Sequence, residues 1–205
     1  GQTSFIYEAG SAFSMDRETT LMTGDFEHHP DKNVVEQISE RGVPELLFEK
    51  YDGTLEFHEP WHEGREMSHL FRGKVDVEEV NVMLSEEGHG DLRLLDNGAI
   101  GRPMPGIEIT HCYHLVPKGV SKSRAVAAHA AARGYAKDET IAVGDSAEDL
   151  EVARSVGTFF VVANGPERDA GLKATLSQHP NAVVTEGRVA DGFYEAIVTS
   201  LVSRQ

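Results

Sequence analysis

Two carboxylates and a lysine stand out because their spacing brings oxygen donors and a cation to one place. Asp145 follows Gly144 at the end of the apolar run Thr140-Ile-Ala-Val-Gly144, and Asp149 lies four residues further on. A short β-branched and apolar run reads as a buried parallel strand, and open α/β sheets bind ligands at the carboxyl ends of such strands. Ser146 is a candidate helix N-cap, with Glu148 and Asp149 in the first turn and Leu150, Val152, Ala153 and Val156 at apolar helical positions. Asp145 and Asp149 thus converge above the sheet edge as candidate ligands of a divalent metal. The plainer alternative makes Asp145 a helix cap and Asp149 a solvated first-turn acid.

The lysine tilts the balance toward chemistry. Pro117-Lys-Gly-Val-Ser-Lys122 leads into the alanine-rich helix Ser123-Arg-Ala-Val-Ala-Ala-His-Ala-Ala-Ala-Arg, which Gly134 closes. Lys122 falls in the first turn of that helix, where the macrodipole disfavours a cation unless an anion lies near. A phosphate supplies that anion.

Pro-x-Gly-Val-Ser-Lys followed by Gly-Asp-Ser-x-x-Asp resembles the third and fourth motifs of the haloacid dehalogenase superfamily of phosphohydrolases, in the branch with a large α/β cap that includes sugar-phosphate and mannosyl-phosphoglycerate phosphatases. The resemblance implies a phospho-aspartate mechanism. Lys122 matches the lysine that offsets charge on the phospho-aspartate, Asp145 the Mg2+-binding acid, and Asp149 the second acid that holds a metal-bound water or the lysine. Asn164-Gly165, after the apolar run Thr158-Phe-Phe-Val-Val-Ala163, matches a loop beside the site and makes Asn164 a candidate substrate-binding residue. Glu148 departs from the pattern, since many relatives carry Asn there.

The larger departure is an absence. The superfamily's nucleophile lies in an N-terminal Asp-x-Asp-Gly-Thr motif on the central strand, and the opening Thr3-Ser-Phe-Ile-Tyr-Glu-Ala-Gly-Ser-Ala-Phe13 looks instead like the strand and Glu-Asn-Gly turn that precede the cap. Asp52-Gly-Thr-Leu55 mimics the missing motif, but Lys50 occupies the nucleophile position and an ammonium forms no acyl phosphate. Residues 47–58 read as a cap hairpin turning at Gly53. A sheet without its central strand would leave buried backbone groups unpaired at about 1–3 kcal/mol each, so the sequence reads as a piece of a longer enzyme.

Composition sets the outer limits: 205 residues, 40% hydrophobic, one cysteine, and no apolar run long enough to span a bilayer. This fits a cytoplasmic protein with no membrane partner. A single Cys112 makes no internal disulfide, and between His111 and Tyr113 it reads as a small packed hydrophobe. The formal charge of −15 disfavours nucleic acid, whose binding rests on cationic neutralisation of phosphates. A small phosphate ester remains compatible, because a bound cation inverts the local potential.

Element types divide the chain into a core strand at 1–13, an α+β cap at 14–105 and the C-terminal part of a Rossmann-like parallel-sheet core at 106–205. Asp31–Gly42 and Asp76–Leu84 read as cap helices, and Asp91–Leu95, Ile107–Thr110 and Tyr113–Val116 as strands. From about residue 107 the alternation of strand and helix predicts a parallel sheet, closed by a strand at Ala182–Thr185 and a helix over Ala190–Val202. The fold class is therefore α/β with an inserted α+β cap.

His58-Glu-Pro-Trp-His62 matches the zinc-protease pattern letter for letter. Pro60 tells against it, since proline belongs in a first helical turn and leaves His58 outside any helix that follows. On a helix from Pro60, His62, Arg65, His69 and Arg72 fall within an arc of about 80°, a basic face on which Arg65 and His69 are candidate substrate ligands. A solvated amphipathic face, or a strand that divides these residues between two sides, is the alternative.

The sequence thus predicts a Mg2+-dependent phosphatase acting on a small phosphorylated metabolite, a phosphosugar or a phosphoglycolate- or phosphoglycerate-like ester, as a monomer or homodimer. A non-catalytic metal- or ligand-binding relative and a phosphomutase are the competing readings.

Overall fold

Left-handed backbone at Asp16 and Arg17, φ 56° and 73°, turns the first strands into a hairpin. β1 (Phe5–Tyr7), β2 (Ala12–Met15) and β3 (Glu18–Leu21) form an antiparallel sheet ordered β1-β2-β3. The computed structural model describes residues 4–202 and divides at Ser121/Lys122 into two units. Thr3, the expected start of the opening strand, lies outside the described residues.

The rest of the N-terminal unit comprises α1 (Val34–Glu40), α2 (Val43–Lys50), β4 (Leu55–Phe57), β5 (His69–Gly73), α3 (Val77–Glu86), β6 (Leu92–Ile100) and β7 (Thr110–Pro117). A reciprocal box of Asn33 and Glu36 caps α1, and Asp76 caps α3 by accepting from the Glu78 and Glu79 amides at 2.9 and 3.1 Å. β4, β5, β7 and β6 pair antiparallel in that order. Val34 and Ile38 of α1, Val43 and Leu47 of α2, and Val80 and Leu84 of α3 pack into one fully buried cluster with Phe71, Leu94 and Leu115 of the sheet. Each such side chain contributes about 1.5–3 kcal/mol of apolar burial.

Three sequence expectations change here. The separate strands expected at 107–110 and 113–116 are one, and it is antiparallel to its neighbours, outside the parallel sheet expected from about residue 107. β7 is one strand that lies between β5 and β6, because Tyr113 and Leu115 complete the cluster beside Phe71 and Leu94. The expected hairpin at 47–58 is the end of α2, a turn in which Gly53 takes φ 70°, and β4, with Asp52 exposed in the turn. No helix follows Pro60, since residues 59–64 turn and residues 69–73 enter the sheet as β5. Strand pairing on both sides of β5 satisfies its backbone, which outweighs the helical spacing of the basic residues.

The C-terminal unit follows the predicted alternation: α4 (Lys122–Arg133), β8 (Ile141–Gly144), α5 (Ala147–Leu150), β9 (Thr158–Val161), α6 (Asn164–Arg168), α7 (Ala170–Thr175), β10 (Ala182–Val184) and α8 (Val189–Val202). Gly134, at φ 71°, ends α4 as its sequence position foretold, and the Tyr135 amide closes back on the Ala130 carbonyl at 2.9 Å. β10, β9 and β8 are parallel in that order. Ala142, Phe159, Val161 and Ala182 present one face to Leu150, Val152, Val156 and Leu172. α8 covers part of the other face, where Ala196 is fully buried and a Cβ on Gly192 would stand 2.6 Å from Val162 Cγ1.

Candidate active site at the carboxyl ends of the parallel strands

β8 ends at Gly144, and Asp145 and the Ser146 cap follow before α5 begins. Ser146 Oγ accepts from the Asp149 amide at 3.1 Å, which fixes the first turn and with it the Asp149 side chain. Gly144 is required for this closeness, because a Cβ there would lie 2.5 Å from Asp149 Cβ. Gly165 plays the same part on the neighbouring strand end, where a Cβ would meet the Asp145 carbonyl oxygen at 2.5 Å. Two glycines therefore let the ends of β8 and β9 crowd around Asp145 and Asp149.

Lys122 reaches into this space from the first turn of α4. Its Nζ donates to Asp149 Oδ1 at 2.8 Å and lies 3.0 Å from Glu148 Oε2. About a quarter of the Lys122 side chain is exposed, 26%, with 27% for Asp149 and 17% for Glu148. Burial works against the Lys122 charge, but Asp149 and then Glu148 outweigh it and hold the ammonium above the usual lysine range. Lys122 is thus a fixed, permanently protonated cation at neutral pH. Ser123 Oγ and Ser155 Oγ, 2.8 Å apart, tie the start of α4 to the segment after α5.

Asp145 is positioned separately. Asn164 Nδ2 donates to Asp145 Oδ2 at 2.9 Å, while Asn164 Oδ1 accepts from the Val189 amide at 2.8 Å. Asn164 is 5% exposed, so this amide spans from Asp145 to the start of α8 from a buried position. The sequence made Asn164 a substrate ligand; the structure commits both ends of its amide to internal partners.

The predicted residues consequently form two small groups in one unit, Lys122 with Asp149 and Asp145 with Asn164. Glu148 was passed over as a departure from a family pattern, and it is the second partner of Lys122. Its signal was available in the sequence, since adjacent acids in a first helical turn both fall near a cation held above that turn.

Arg65 and His69 belong to the N-terminal unit and to other networks. His69 is 6% exposed on β5, its Nε2 lies 3.1 Å from Ser39 Oγ and 3.2 Å from the Val35 carbonyl, and its ring stacks on Phe71. Arg65 donates through Nε to the Ser68 carbonyl at 3.0 Å and pairs with Glu8 at 3.5 Å. Glu8 also accepts from the Met67 amide and the Ser68 hydroxyl, both at 3.0 Å. The basic helical face expected of these residues does not form.

Among the described residues no group of three or more His, Cys, Asp or Glu side chains gathers as a metal cage. The donors at the strand ends are nonetheless all carboxylate oxygens. Magnesium needs only one or two of these, because it retains water and takes further oxygens from phosphate. Asp145 fits that requirement, and Glu148 and Asp149 are the next carboxylates along the chain.

The sequence model of the haloacid dehalogenase-like hydrolase family matches residues 108–181, a span that includes Lys122, Asp145, Asp149 and Asn164. That stretch is similar to the haloacid dehalogenase-like hydrolases. A phosphoglycolate phosphatase of Halobacterium salinarum is 29% identical over 157 residues, 65% of this chain and 66% of that protein. A phosphoglycolate phosphatase of Methanoculleus marisnigri is 32% identical over 127 residues, 62% of this chain and 45% of that protein. The chain thus spans at most about two thirds of the length of these curated relatives. The sucrose-phosphatase of Synechocystis, solved with sucrose and phosphate, shares the fold at TM-score 0.60 and 16% identity, covering 94% of this chain and 71% of that one.

Proposed function

We propose that this chain carries the cap and part of the catalytic core of a Mg2+-dependent phosphatase acting on a small phosphorylated metabolite. The observation that carries the reading is the Lys122 ammonium clamped at 2.8 and 3.0 Å by Asp149 and Glu148, in the first helical turn after the strand end that carries Asp145. Phosphoryl transfer asks for positioned positive charge where the equatorial oxygens gather negative charge, and a preorganised cation supplies it without reorganisation. Asp149 and Glu148 keep Lys122 protonated and aimed. Asn164 acts through Asp145, holding one carboxylate oxygen so that the group presents a fixed ligand to magnesium. The metal, when bound, offsets charge on the phosphoryl oxygens. The N-terminal unit serves as the cap that selects the rest of the substrate, and the phosphoryl-accepting aspartate comes from a segment outside these 205 residues.

The phosphoglycolate phosphatase relatives favour a compact phosphorylated acid as substrate. The test is release of inorganic phosphate from phosphoglycolate, phosphoglycerate and hexose phosphates by the complete gene product, with magnesium and with chelator. Magnesium-dependent release from one ester supports the reading. Isomerisation of the ester without net phosphate release would make the protein a mutase, and no reaction at all would leave it a binding protein.

A further inference from the structure

The four-stranded sheet of the N-terminal unit treats its two edges differently. At the β6 edge the Asn81 side chain takes the place of a strand: its Oδ1 accepts from the Leu94 amide at 2.7 Å and its Nδ2 donates to the Leu94 carbonyl at 3.2 Å. A register shift between Asp96 and Ala99 breaks the rest of that edge. β4 carries no such guard. The His58 amide donates to the Leu70 carbonyl at 3.0 Å and the Lys74 amide to the Thr54 carbonyl at 2.9 Å, so Thr54, Glu56 and His58 direct their backbone groups to β5. Leu55 and Phe57 therefore turn theirs to the open edge. The Tyr51 carbonyl takes the Leu55 amide and the Glu59 amide takes the Phe57 carbonyl, both at 3.0 Å. The Leu55 carbonyl and the Phe57 amide remain without a partner among the described residues.

A cavity of about 370 Å³ lies along this edge, lined by Phe48, Leu55, Glu56, Phe57, Glu59 and Arg72. The pleat explains its place. Leu55 and Phe57 point to the helix-covered face, where they pack with Phe48, and Glu56 and Arg72 point to the other. A cavity that touches both faces runs around the free side of the strand, where an added strand would lie. Its apolar half is Leu55 with the Phe48 and Phe57 rings, whose centroids are 4.9 Å apart. Its charged half is acidic in balance: Arg72 places its contacts at 2.5 and 2.7 Å on Glu56 Oε1 alone, which leaves Glu56 Oε2 and the exposed Glu59 over. Glu49, Asp52 and Glu63, all exposed, flank β4 along the chain and extend that charge.

We propose that β4 takes an extended segment of a partner protein as a fifth strand, with a Lys or Arg of the partner beside Glu56 and an apolar residue on each side of it. The two free backbone groups flank Glu56, so in either strand direction one partner residue falls opposite Glu56 and on its face. Its neighbours then fall on the face of Phe48 and Phe57, because side chains alternate. In this mode of peptide recognition backbone bonds hold the segment and alternate side chains select it. A second copy of β4 is a poor occupant, since two-fold pairing would bring Glu56 and Glu59 against their like. The formal charge of −15 likewise favours a cationic partner.

The test adds the blocked peptide acetyl-Thr-Val-Lys-Val-Thr-amide, or its counterpart with Glu in place of Lys, to the complete gene product and follows hydrogen exchange at the Phe57 amide. In ~1 mM Lys peptide that amide should exchange at least ~5-fold more slowly, and the Glu peptide should leave it unchanged. Glu56→Gln with Glu59→Gln, its unfolding midpoint checked against the wild type, should weaken binding of the Lys peptide by ~5-fold. A Phe57 amide that neither peptide protects overturns the inference, as does equal protection by both. So does a Phe57 amide already protected before peptide is added, whether by another segment of the same chain or, where dilution removes the protection, by a second copy.

Discussion

Replacing Lys122 by Met removes a cation that two carboxylates hold between them, and the structure sets the size of the effect. At 2.8 and 3.0 Å each pairing is worth about 6 kcal/mol of attraction at an effective dielectric of about 20, before desolvation is subtracted. Deleting one partner of a buried pair costs about 3–5 kcal/mol, because the other charge stays behind. Here the side chains retain 26, 27 and 17% exposure, so water screens part of the loss and about 2–3 kcal/mol is expected. Hydrogen exchange over residues 122–150 reads this locally and avoids assuming that two units unfold together. Lys122→Met should speed exchange there by about 30- to 150-fold, since 1.4 kcal/mol is a factor of ten. Asp149→Asn added to Lys122→Met should restore part of the protection by removing the unpaired charge. The pH dependence has a definite sign. The folded lysine holds its proton more tightly than the unfolded one, so its contribution is complete below the unfolded value of 10.5 and is lost as pH rises through the raised folded value. Wild-type protection should therefore fall above that range while Lys122→Met shows no such fall. Unchanged exchange in Lys122→Met, within about 0.5 kcal/mol, would refute the clamp.

Three further outcomes follow from single residues. Burial holds the His69 imidazole below its usual range, so the unfolded chain takes up the proton first; the N-terminal unit should lose stability as pH falls below about 6.5, and His69→Gln should reduce that acid sensitivity in a thermal melt. Burial pushes the Cys112 thiol up to about 11, so it should resist a thiol reagent at pH 8 until denaturant is added. Fast labelling of the native protein would contradict the packing of Cys112. Gly165→Ala forces a methyl to within 2.5 Å of the Asp145 carbonyl oxygen, a backbone atom with little freedom to retreat, and should cost about 1–3 kcal/mol in the C-terminal unit by chemical denaturation.

The C-terminal unit was legible from local signals. Ile141–Gly144, Lys122–Arg133 and Val189–Val202 each announce themselves by an apolar run, a closing glycine or helical spacing, and their boundaries shift by a residue or so. The N-terminal unit was less so because its decisive interactions are between segments distant in sequence. The β2–β3 turn uses Asp16-Arg17 in left-handed conformations, where Asn-Gly would have signalled a hairpin. Residues 60–72 carry helical spacing, yet β4 and β7 claim residues 69–73 as a strand. His69 looked like a ligand for the same reason, since its partners Val35 and Ser39 lie more than a helix away along the chain. In the site, the types and order of Lys122, Asp145 and Asp149 were enough to bring out a candidate centre. The Glu148 contact and the turning inward of Asn164 depend on side-chain direction, which spacing does not specify.

The central claim is that Lys122 and Asp145 serve phosphoryl transfer. Its most direct test is the kcat of the complete gene product for phosphate release in magnesium, beside Lys122→Ala and Asp145→Asn variants whose circular dichroism and unfolding midpoints are measured in parallel. Each folded variant should lose at least ~100-fold in kcat. Wild-type turnover in either variant, with the fold intact, would contradict it.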